Sequence, residues 1–183
     1  SKLMRFSNNI FFAFDGDLAG EKAAWKALEN VLPIIREDTR IKFVFFDSGD
    51  DPDSYVNKHG QKGFNELINA GQTLSEYFFS EIKKVDDINT VEGRSKIASY
   101  AADLIKNINN VPLKEAYISE TSKICEIPIE KLVLIPTQPK SYQASQEQMN
   151  QEKANHSSNT KRTASIYLII HSVLSDRSLI KDP

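Results

Sequence analysis

The first third of the chain alternates apolar runs with an amphipathic stretch, a pattern typical of strand, helix and strand. Residues 9–14 (NIFFAF) are a continuous apolar run, which suits a strand buried on both faces, and residues 41–46 (IKFVFF) are predicted to form a second strand. Between them, residues 18–32 carry apolar side chains at helical spacing, and Pro33 ends or kinks the helix. The pattern predicts a βαβ unit, with a parallel sheet and a right-handed crossover.

The middle of the chain has a helical pattern. Two short helices are predicted over residues 52–58 and 62–69, with stop signals at Gly60 and Gly71. From Leu74 the pattern is purely helical. The first helix predicted there covers residues 74–84. A long second helix begins with a capping box of Asn89 and Glu92 and ends near Ile108. A third helix is predicted from Pro112 to about Cys125, and a short fourth from Pro128 to about Ile135.

The last quarter of the chain changes character. Residues 136–163 hold five glutamines with many serines and asparagines and very few large apolar residues, so we expect a disordered linker. Residues 164–174 (ASIYLIIHSVL) are strongly apolar and predict a helix that needs a partner surface absent from the chain. The chain begins without a methionine and ends soon after this apolar segment, and we therefore expect it to be a fragment of a longer protein.

Composition narrows the functional class without deciding it. The chain has 183 residues, of which 40% are hydrophobic and 26% charged, as in ordinary globular proteins. Its net charge of -2 indicates that any contact with nucleic acid comes from a local patch or from chain outside this sequence. Cys125 is the single cysteine, which excludes an internal disulfide. No apolar run approaches the roughly 18 residues that a membrane span needs, and no signal peptide is visible.

Both predicted strands end at acidic clusters, which carry Asp15 and Asp17 after the first and Asp51 and Asp53 after the second. Functional groups of parallel sheets gather at the carboxyl ends of the strands, so four carboxylates converge if the strands are adjacent. Such like charges repel one another unless a cation lies between them. Oxygen ligands without nearby histidine or cysteine favour Mg²⁺ or Mn²⁺, and the chemistry indicates phosphoryl transfer.

The alternative for each isolated motif is structural. Asp-Gly-Asp is usually a turn and Asp-Pro-Asp is usually a helix cap, but two such clusters at equivalent strand ends favour a metal site. Lys22 and Lys26 lie one helical turn apart near this site and could steer a triphosphate, although a solvated helix face is the default. The three histidines are scattered and no pair has metal-ligand spacing, which favours structural or surface roles.

Several segments together match one known family. They are residues 14–20 (FDGDLAG), 23–29 (AAWKALE), 49–53 (GDDPD), 74–79 (LSEYFF) and 92–94 (EGR). These segments resemble the TOPRIM domain of bacterial DnaG-type DNA primases and the helical extension that follows it. The resemblance implies an α/β TOPRIM-like fragment with a parallel βαβ unit, followed by an all-α extension and a disordered linker.

The domain boundaries that the resemblance implies divide the chain into four parts. The C-terminal half of the TOPRIM domain occupies residues 1–72, and the helical subdomain of the polymerase core occupies residues 73–135. The linker follows over residues 136–163. Residues 164–183 are expected to begin the domain that binds the replicative helicase.

The function implied is that of a replicative DNA primase, a DNA-dependent RNA polymerase that makes short RNA primers on single-stranded DNA at the replication fork. Asp15 and Asp17 would then be catalytic and, with Asp51 and Asp53, would bind Mg²⁺ or Mn²⁺. Zinc is expected only in an N-terminal module that this chain lacks. The implied partners are the single-stranded DNA template, ribonucleoside triphosphates, the replicative helicase and single-stranded DNA-binding protein, in the cytoplasmic replisome and with no membrane.

Alone, the chain is expected to be inactive, because the family also needs an upstream glutamate and a basic subdomain. One alternative is a non-catalytic module that docks on the replicative helicase. The other is a haloacid dehalogenase-type phosphatase, which also has Asp-x-Asp after a strand and a later Gly-Asp-Asp. That fold places several strands between its two motifs and expects Thr or Val at the position of Ala19, so the sequence disfavours it.

Overall fold

The computed structural model describes residues 7–47 and 52–135, together with the backbone of residues 166–170. A short 3-10 helix over Leu32–Ile34 follows the first α-helix. The other elements, in chain order, are β1 (Asn9–Asp15), α1 (Leu18–Val31), β2 (Arg40–Phe46), α2 (Pro52–Ala70), β3 (Gln72–Thr73), α3 (Leu74–Ile82), α4 (Val91–Ile105), α5 (Val111–Cys125), α6 (Ile129–Leu132) and β4 (Ile166–Ile170).

The described residues form two compact units. The first contains the strands, α1, α2, residues of α3 up to Glu81, and a short stretch over Ile108–Asn110. The second runs from Ile82 to Asn107 and continues from Val111 through α5 and α6. Among the helices that the structure describes, none combines the length and the apolar character that a membrane span requires.

The sheet of the first unit has the strand order β3-β2-β1-β4. β1 and β2 are parallel, in a register that runs from Asn9 opposite Arg40 to Asp15 opposite Phe46. This pairing confirms the predicted βαβ unit, with α1 as the crossover helix. The two outer strands are antiparallel to their neighbours, since β3 pairs with β2 and β4 pairs with β1.

The helix predicted over residues 164–174 is wrong where the structure describes that segment. Residues 166–170 (IYLII) form β4, with Ile10 opposite Ile170 and Phe14 opposite Ile166. A short continuous apolar run does not distinguish a strand from a buried helix, and isoleucine and tyrosine favour strands. Pairing with the backbone of β1 is what favours the strand over the helix for this segment. The rest of this segment, and the predicted linker over residues 136–163, lie outside the described residues.

One face of the sheet is lined by aromatic rings. Phe14 stacks on Phe43 with ring centroids 6.1 Å apart, and Phe12 lies 5.7 Å from Phe43. Tyr77 of α3 covers this row, at 4.4 Å from Phe43 and 5.8 Å from Phe45. Burial raises the pKa of the Tyr77 phenol well above its ordinary value. The side chain therefore stays uncharged and packs as part of the apolar core on this face.

The opposite face packs against α2. Its buried cluster consists of Ala13, Val44, Phe46, Phe64 and Ile68. The two helices predicted for this region are one element that is broken at Gly60, whose φ of 64° and ψ of −179° lie in a region that glycine alone adopts readily. Lys42 of β2 donates hydrogen bonds to the carbonyl oxygens of Ile68 and Asn69, which fastens the end of α2 to the sheet.

A complete capping box starts α3. The Glu76 carboxylate accepts from the backbone N–H of Thr73 at 2.8 Å, and the Thr73 hydroxyl oxygen accepts from the backbone N–H of Glu76 at 3.3 Å. The Thr73 backbone N–H and the Thr73 hydroxyl both donate to the Glu76 carboxylate, and these two hydrogen bonds lower the pKa of that carboxyl below its ordinary value. The two-residue strand β3 ends at this cap and was not predicted from the sequence, because the helical pattern begins directly behind it.

The second unit is a helical bundle built on α4 and α5. Thr90, and not the predicted Asn89, caps α4, and its hydroxyl oxygen accepts from the backbone N–H of Gly93 at 3.0 Å. The start of α4 is joined to the end of α5 by an ion pair between Arg94 and Glu126 at 3.6 Å. The buried side chains that α4, α5 and α6 contribute to its core are Ile97, Ala98, Ala101, Leu104, Ile105, Tyr117, Ile118, Thr121, Cys125 and Leu132.

Candidate metal and nucleotide site

The carboxyl ends of β1 and β2 lie side by side, as the predicted site requires. Asp15 is the last residue of β1 and pairs in register with Phe46, the last residue of β2. Because side chains alternate along a strand, Asp15 shares a face with Ala13, and that face packs against α2. Asp15 is half-buried, which places a carboxylate at the rim of the sheet where solvent and ligand can reach it.

Asp17 has a structural role as a helix cap, whereas the structural alternative predicted for the Asp-Gly-Asp motif was a turn. It is the N-cap of α1, and its Oδ1 accepts from the backbone N–H of Gly20 at 2.8 Å. The exposed carboxylate therefore has one oxygen committed to the helix and the other, Oδ2, without a hydrogen bond in this cap. Capping and metal binding are compatible here, because Mg²⁺ can bind a carboxylate through a single oxygen.

Gly20 fixes the first turn of α1 against the end of β1. A Cβ atom built on this buried glycine would overlap the carbonyl oxygen of Asp15 and come within 2.9 Å of its carbonyl carbon. The helix and strand therefore approach at a distance that no other residue allows. This contact holds the Asp15–Asp17 turn in place, so Gly20 belongs to the site although it carries no side chain.

The second acidic motif is described only in part. Asp53 is exposed and lies in the first turn of α2, whereas Asp51 falls outside the described residues. Within residues 7–47 and 52–135, no three Asp, Glu, His or Cys side chains are close enough together to hold a metal ion. The donors at the strand end, Asp15 and Asp17, are hard oxygen ligands that suit a divalent cation, and the four-aspartate site stays a prediction.

The two lysines predicted to steer a nucleotide are both on the solvent side of α1. Lys26 forms an exposed ion pair with Glu29 at 2.9 Å, and 67% of its side chain is accessible. Lys22 is exposed on the preceding turn. Pairing with Glu29 reduces the field that Lys26 offers to an anion, so Lys22 is the better of the two candidates.

Sequence reasoning missed three contributors to this end of the sheet. Gly20 stands in the first turn of a helix that follows a strand, a position at which a small residue signals close backbone approach. The rings of Tyr55 and His59, four residues apart on α2, are in contact, tilted by 33° with centroids 4.3 Å apart. Helical spacing was the available signal for that pair, but the histidines were weighed for metal binding alone.

A family model and the curated relatives agree on one class of protein. The model described as the DnaB-helicase binding domain of primase matches residues 75–130. The chain is similar to the DNA primase of Pseudomonas aeruginosa, at 44% identity over 115 residues, which is 61% of this chain and 17% of that protein. It is also similar to the DNA primase of Haemophilus influenzae, at 40% identity over 106 residues, which is 58% of this chain and 18% of that protein.

Solved structures of the same class share the fold. A DNA primase domain from Pseudomonas aeruginosa superimposes with a TM-score of 0.71 at 38% identity, over 73% of this chain and 42% of that one. The DnaG primase catalytic domain bound to ssDNA gives a TM-score of 0.67 at 30% identity, over 71% of this chain and 41% of that one. The family-model segment lies in the helical region and not in residues 164–183, for which the start of a helicase-binding domain stays a prediction.

Proposed function

We propose that this chain, which is similar to bacterial DNA primases, belongs to the DnaG-type family and is part of a replicative primase that makes short RNA primers on single-stranded DNA. The observation that carries the proposal is the position of Asp15 and Asp17 at the carboxyl end of a parallel strand, beside the end of its neighbour. The chain spans 17 to 18% of the first curated relatives. The polymerase activity is therefore proposed for the longer protein and not for this chain alone.

Asp15 and Asp17 would hold a divalent metal ion, with Asp51 and Asp53 as the second acidic motif of the same site. A bound Mg²⁺ or Mn²⁺ neutralises phosphate charge and supports transfer of the nucleotidyl group. The residues of this chain orient that chemistry: the α1 cap fixes the Asp17 carboxylate, and Gly20 fixes the Asp15 backbone. Lys22, and more weakly Lys26, attract the triphosphate of the incoming ribonucleotide.

The experiment that tests this proposal is primer synthesis by the full-length protein. With single-stranded DNA, ribonucleoside triphosphates and Mg²⁺, we expect short RNA products that depend on the template and disappear when a chelator removes the metal. A reaction without template is the matched control. Full-length protein that folds and binds single-stranded DNA but yields no template-dependent RNA under these conditions would contradict the polymerase proposal.

A second function, docking on the replicative helicase, is favoured by the family model that matches residues 75–130. The helical unit in this range exposes Val91 and Val111, with 70% and 65% of each residue accessible. Because the start of α4 contacts the end of α5, Val91 and Val111 lie at opposite ends of this helix pair, and we propose that each contributes to docking at its own end. Single-stranded DNA-binding protein is a further proposed partner, and the replisome in the cytoplasm is the proposed location.

Val91→Glu and Val111→Glu, each in the full-length protein, are expected to weaken capture by immobilised replicative helicase by about tenfold, because a charge at an interface core is disfavoured. Ser95→Glu is the control, since it adds the same charge at an exposed polar position of α4. Circular dichroism checks that each variant is folded. Unchanged capture of both valine variants would show that docking lies outside this surface, for instance in residues 164–183.

A further inference from the structure

We propose that the first half of α2 carries a stacking platform for an unpaired nucleobase, formed by Tyr55 and His59 beside the candidate metal site. This inference rests on the proposed primase function and adds a binding site for single-stranded DNA to it. It is carried by three observations on the first unit: a row of rings that reaches the surface, the starting point of that row, and the charges around its exposed end.

The rings form a row that leads from the core to solvent. Phe46 is 2% exposed and its ring centroid lies 5.6 Å from that of Tyr55. Tyr55 is half-buried and its ring lies 4.3 Å from that of His59, which is exposed. The histidine ring is therefore supported by a packed neighbour and costs little further ordering when a flat ligand stacks on it. Nucleobases bind to aromatic rings held in this way, whatever their sequence.

The row begins next to the acidic end of the sheet. Phe46 pairs in register with Asp15 on the adjacent strand, and both lie on the face that packs against α2. Asp53, of the second acidic motif, is two residues before Tyr55 on the same helix. The candidate metal ligand Asp15 and the platform therefore lie on the same side of the sheet.

The exposed segment that carries His59 is basic. Residues 56–62 are all exposed, and they include Lys58 and Lys62 but no acidic residue. The nearest carboxylate on the C-terminal side is Glu66, which lies 3.9 Å from the Lys62 ammonium with both side chains largely in solvent, a pair that salt and water weaken. Aromatic rings interleaved with cations are typical of surfaces that bind single strands through base and backbone together.

The backbone beside His59 leaves room for the base. Gly60 follows directly, with φ of +64°, and no atom lies within 4 Å of the position that its Cβ would occupy. The helix is interrupted at this residue, and Gly60 adds no side chain beside His59. An unpaired base of the DNA template is the occupant that we propose for this surface. The base of a ribonucleoside triphosphate has the same chemistry as a template base, and the experiment below distinguishes these two occupants.

The test is binding of a fluorescein-labelled oligothymidylate to the full-length protein, measured by anisotropy in the presence of a chelator so that metal plays no part. His59→Ala is expected to weaken binding by about tenfold, the effect of losing one stacked base. His59→Phe restores a stacking ring and should bind within about twofold of wild type. Asn57→Ala, an exposed polar neighbour without a ring, is the matched control and should change nothing.

Lys62→Gln tests the charge separately. It should lower the slope of log affinity against log salt concentration by about one, as the loss of a phosphate contact does, while His59→Ala leaves that slope unchanged. Wild-type oligothymidylate affinity together with a wild-type KM for ribonucleoside triphosphates in His59→Ala would overturn the platform. Equal losses in His59→Ala and His59→Phe would overturn stacking as its basis. A raised KM for ribonucleoside triphosphates with unchanged oligothymidylate binding would assign the platform to the incoming nucleotide and overturn the template assignment.

The two proposals can fail independently. Asp17→Asn should bind the oligothymidylate normally under chelator, since the metal is absent from that assay. A protein that makes no RNA but loses oligothymidylate binding on His59→Ala would keep the platform and reject the polymerase proposal. If the wild-type protein makes RNA, and His59→Ala has wild-type affinity for oligothymidylate and a wild-type KM for ribonucleoside triphosphates, the polymerase proposal stands and the platform is rejected.

Discussion

Asp17→Asn in the full-length protein is expected to lower primer synthesis by about a thousandfold while leaving the cap of α1 intact, since a bound metal supplies several kcal/mol of charge stabilisation. Asparagine keeps a side-chain oxygen that can accept from the Gly20 N–H, and it is among the preferred N-cap residues. What it removes is the negative charge on the carboxylate. The substitution therefore isolates metal binding from helix capping, and the measurement is primer yield per protein at saturating nucleotide.

Asp17→Ala is the informative companion, because it removes both functions. We expect the same loss of primer synthesis together with a decrease of about 1 kcal/mol in the free energy of unfolding, as for other N-cap residues replaced by alanine. Asp15→Asn should match Asp17→Asn in activity without a capping effect. Calorimetric titration with Mn²⁺ gives a second readout. Primer yield within tenfold of wild type in Asp17→Asn would remove this residue from the metal site.

Gly20→Ala is expected to destabilise the first unit by about 3 kcal/mol, at the upper end of what overpacking costs, and to abolish primer synthesis. The added methyl group has no free space, because its position overlaps the carbonyl oxygen of Asp15. Since that contact is with backbone, a rotamer change cannot relieve it. Either α1 moves away from β1 or the Asp15–Asp17 turn changes shape, and both displace the candidate metal ligands. Urea unfolding and primer yield measure the two effects.

Asn30→Ala is the matched control for this substitution. It places the same side chain on the same helix at an exposed position, and we expect urea unfolding and primer yield close to those of wild type. Gly20→Ala with wild-type stability and full activity would show that α1 does not pack this closely on the end of β1. The role assigned to Gly20 in fixing the turn would then be wrong.

The elements of this fold that could be predicted from the sequence are those with strong local periodicity. The two parallel strands, α1, the break at Gly60 and α5 were all indicated by apolar spacing or by glycine and proline. Residues 164–174 were assigned to a helix, because the decision between helix and strand lay in a partner edge far away in the chain. The cap of α4 was placed one residue early, since Asn89 and Thr90 are both good capping residues.

The candidate site was likewise predictable from the sequence only in part. Acidic residues at the ends of adjacent strands were predictable, because strand order in a βαβ unit follows from chain order. The sharing of Asp17 between a helix cap and a metal, and the overlap that makes Gly20 necessary, depend on distances of a few ångströms. The contact between the Tyr55 and His59 rings depends on the rotamers of two side chains. Periodicity contains none of this information.

The pairing of β1 with β4 has a consequence for how the protein is made. Ile10 lies opposite Ile170, so these partners are 160 positions apart in sequence, whereas β1 and β2 are joined through a single helix. Contacts between residues so far apart in sequence form slowly, because a long loop must close before they yield any stabilisation. During translation β1 and β2 can pair early, but the β1–β4 ladder waits until residue 170 has left the ribosome. The parallel pair and its crossover helix therefore have to persist without β4 for the time that the intervening residues take to be made.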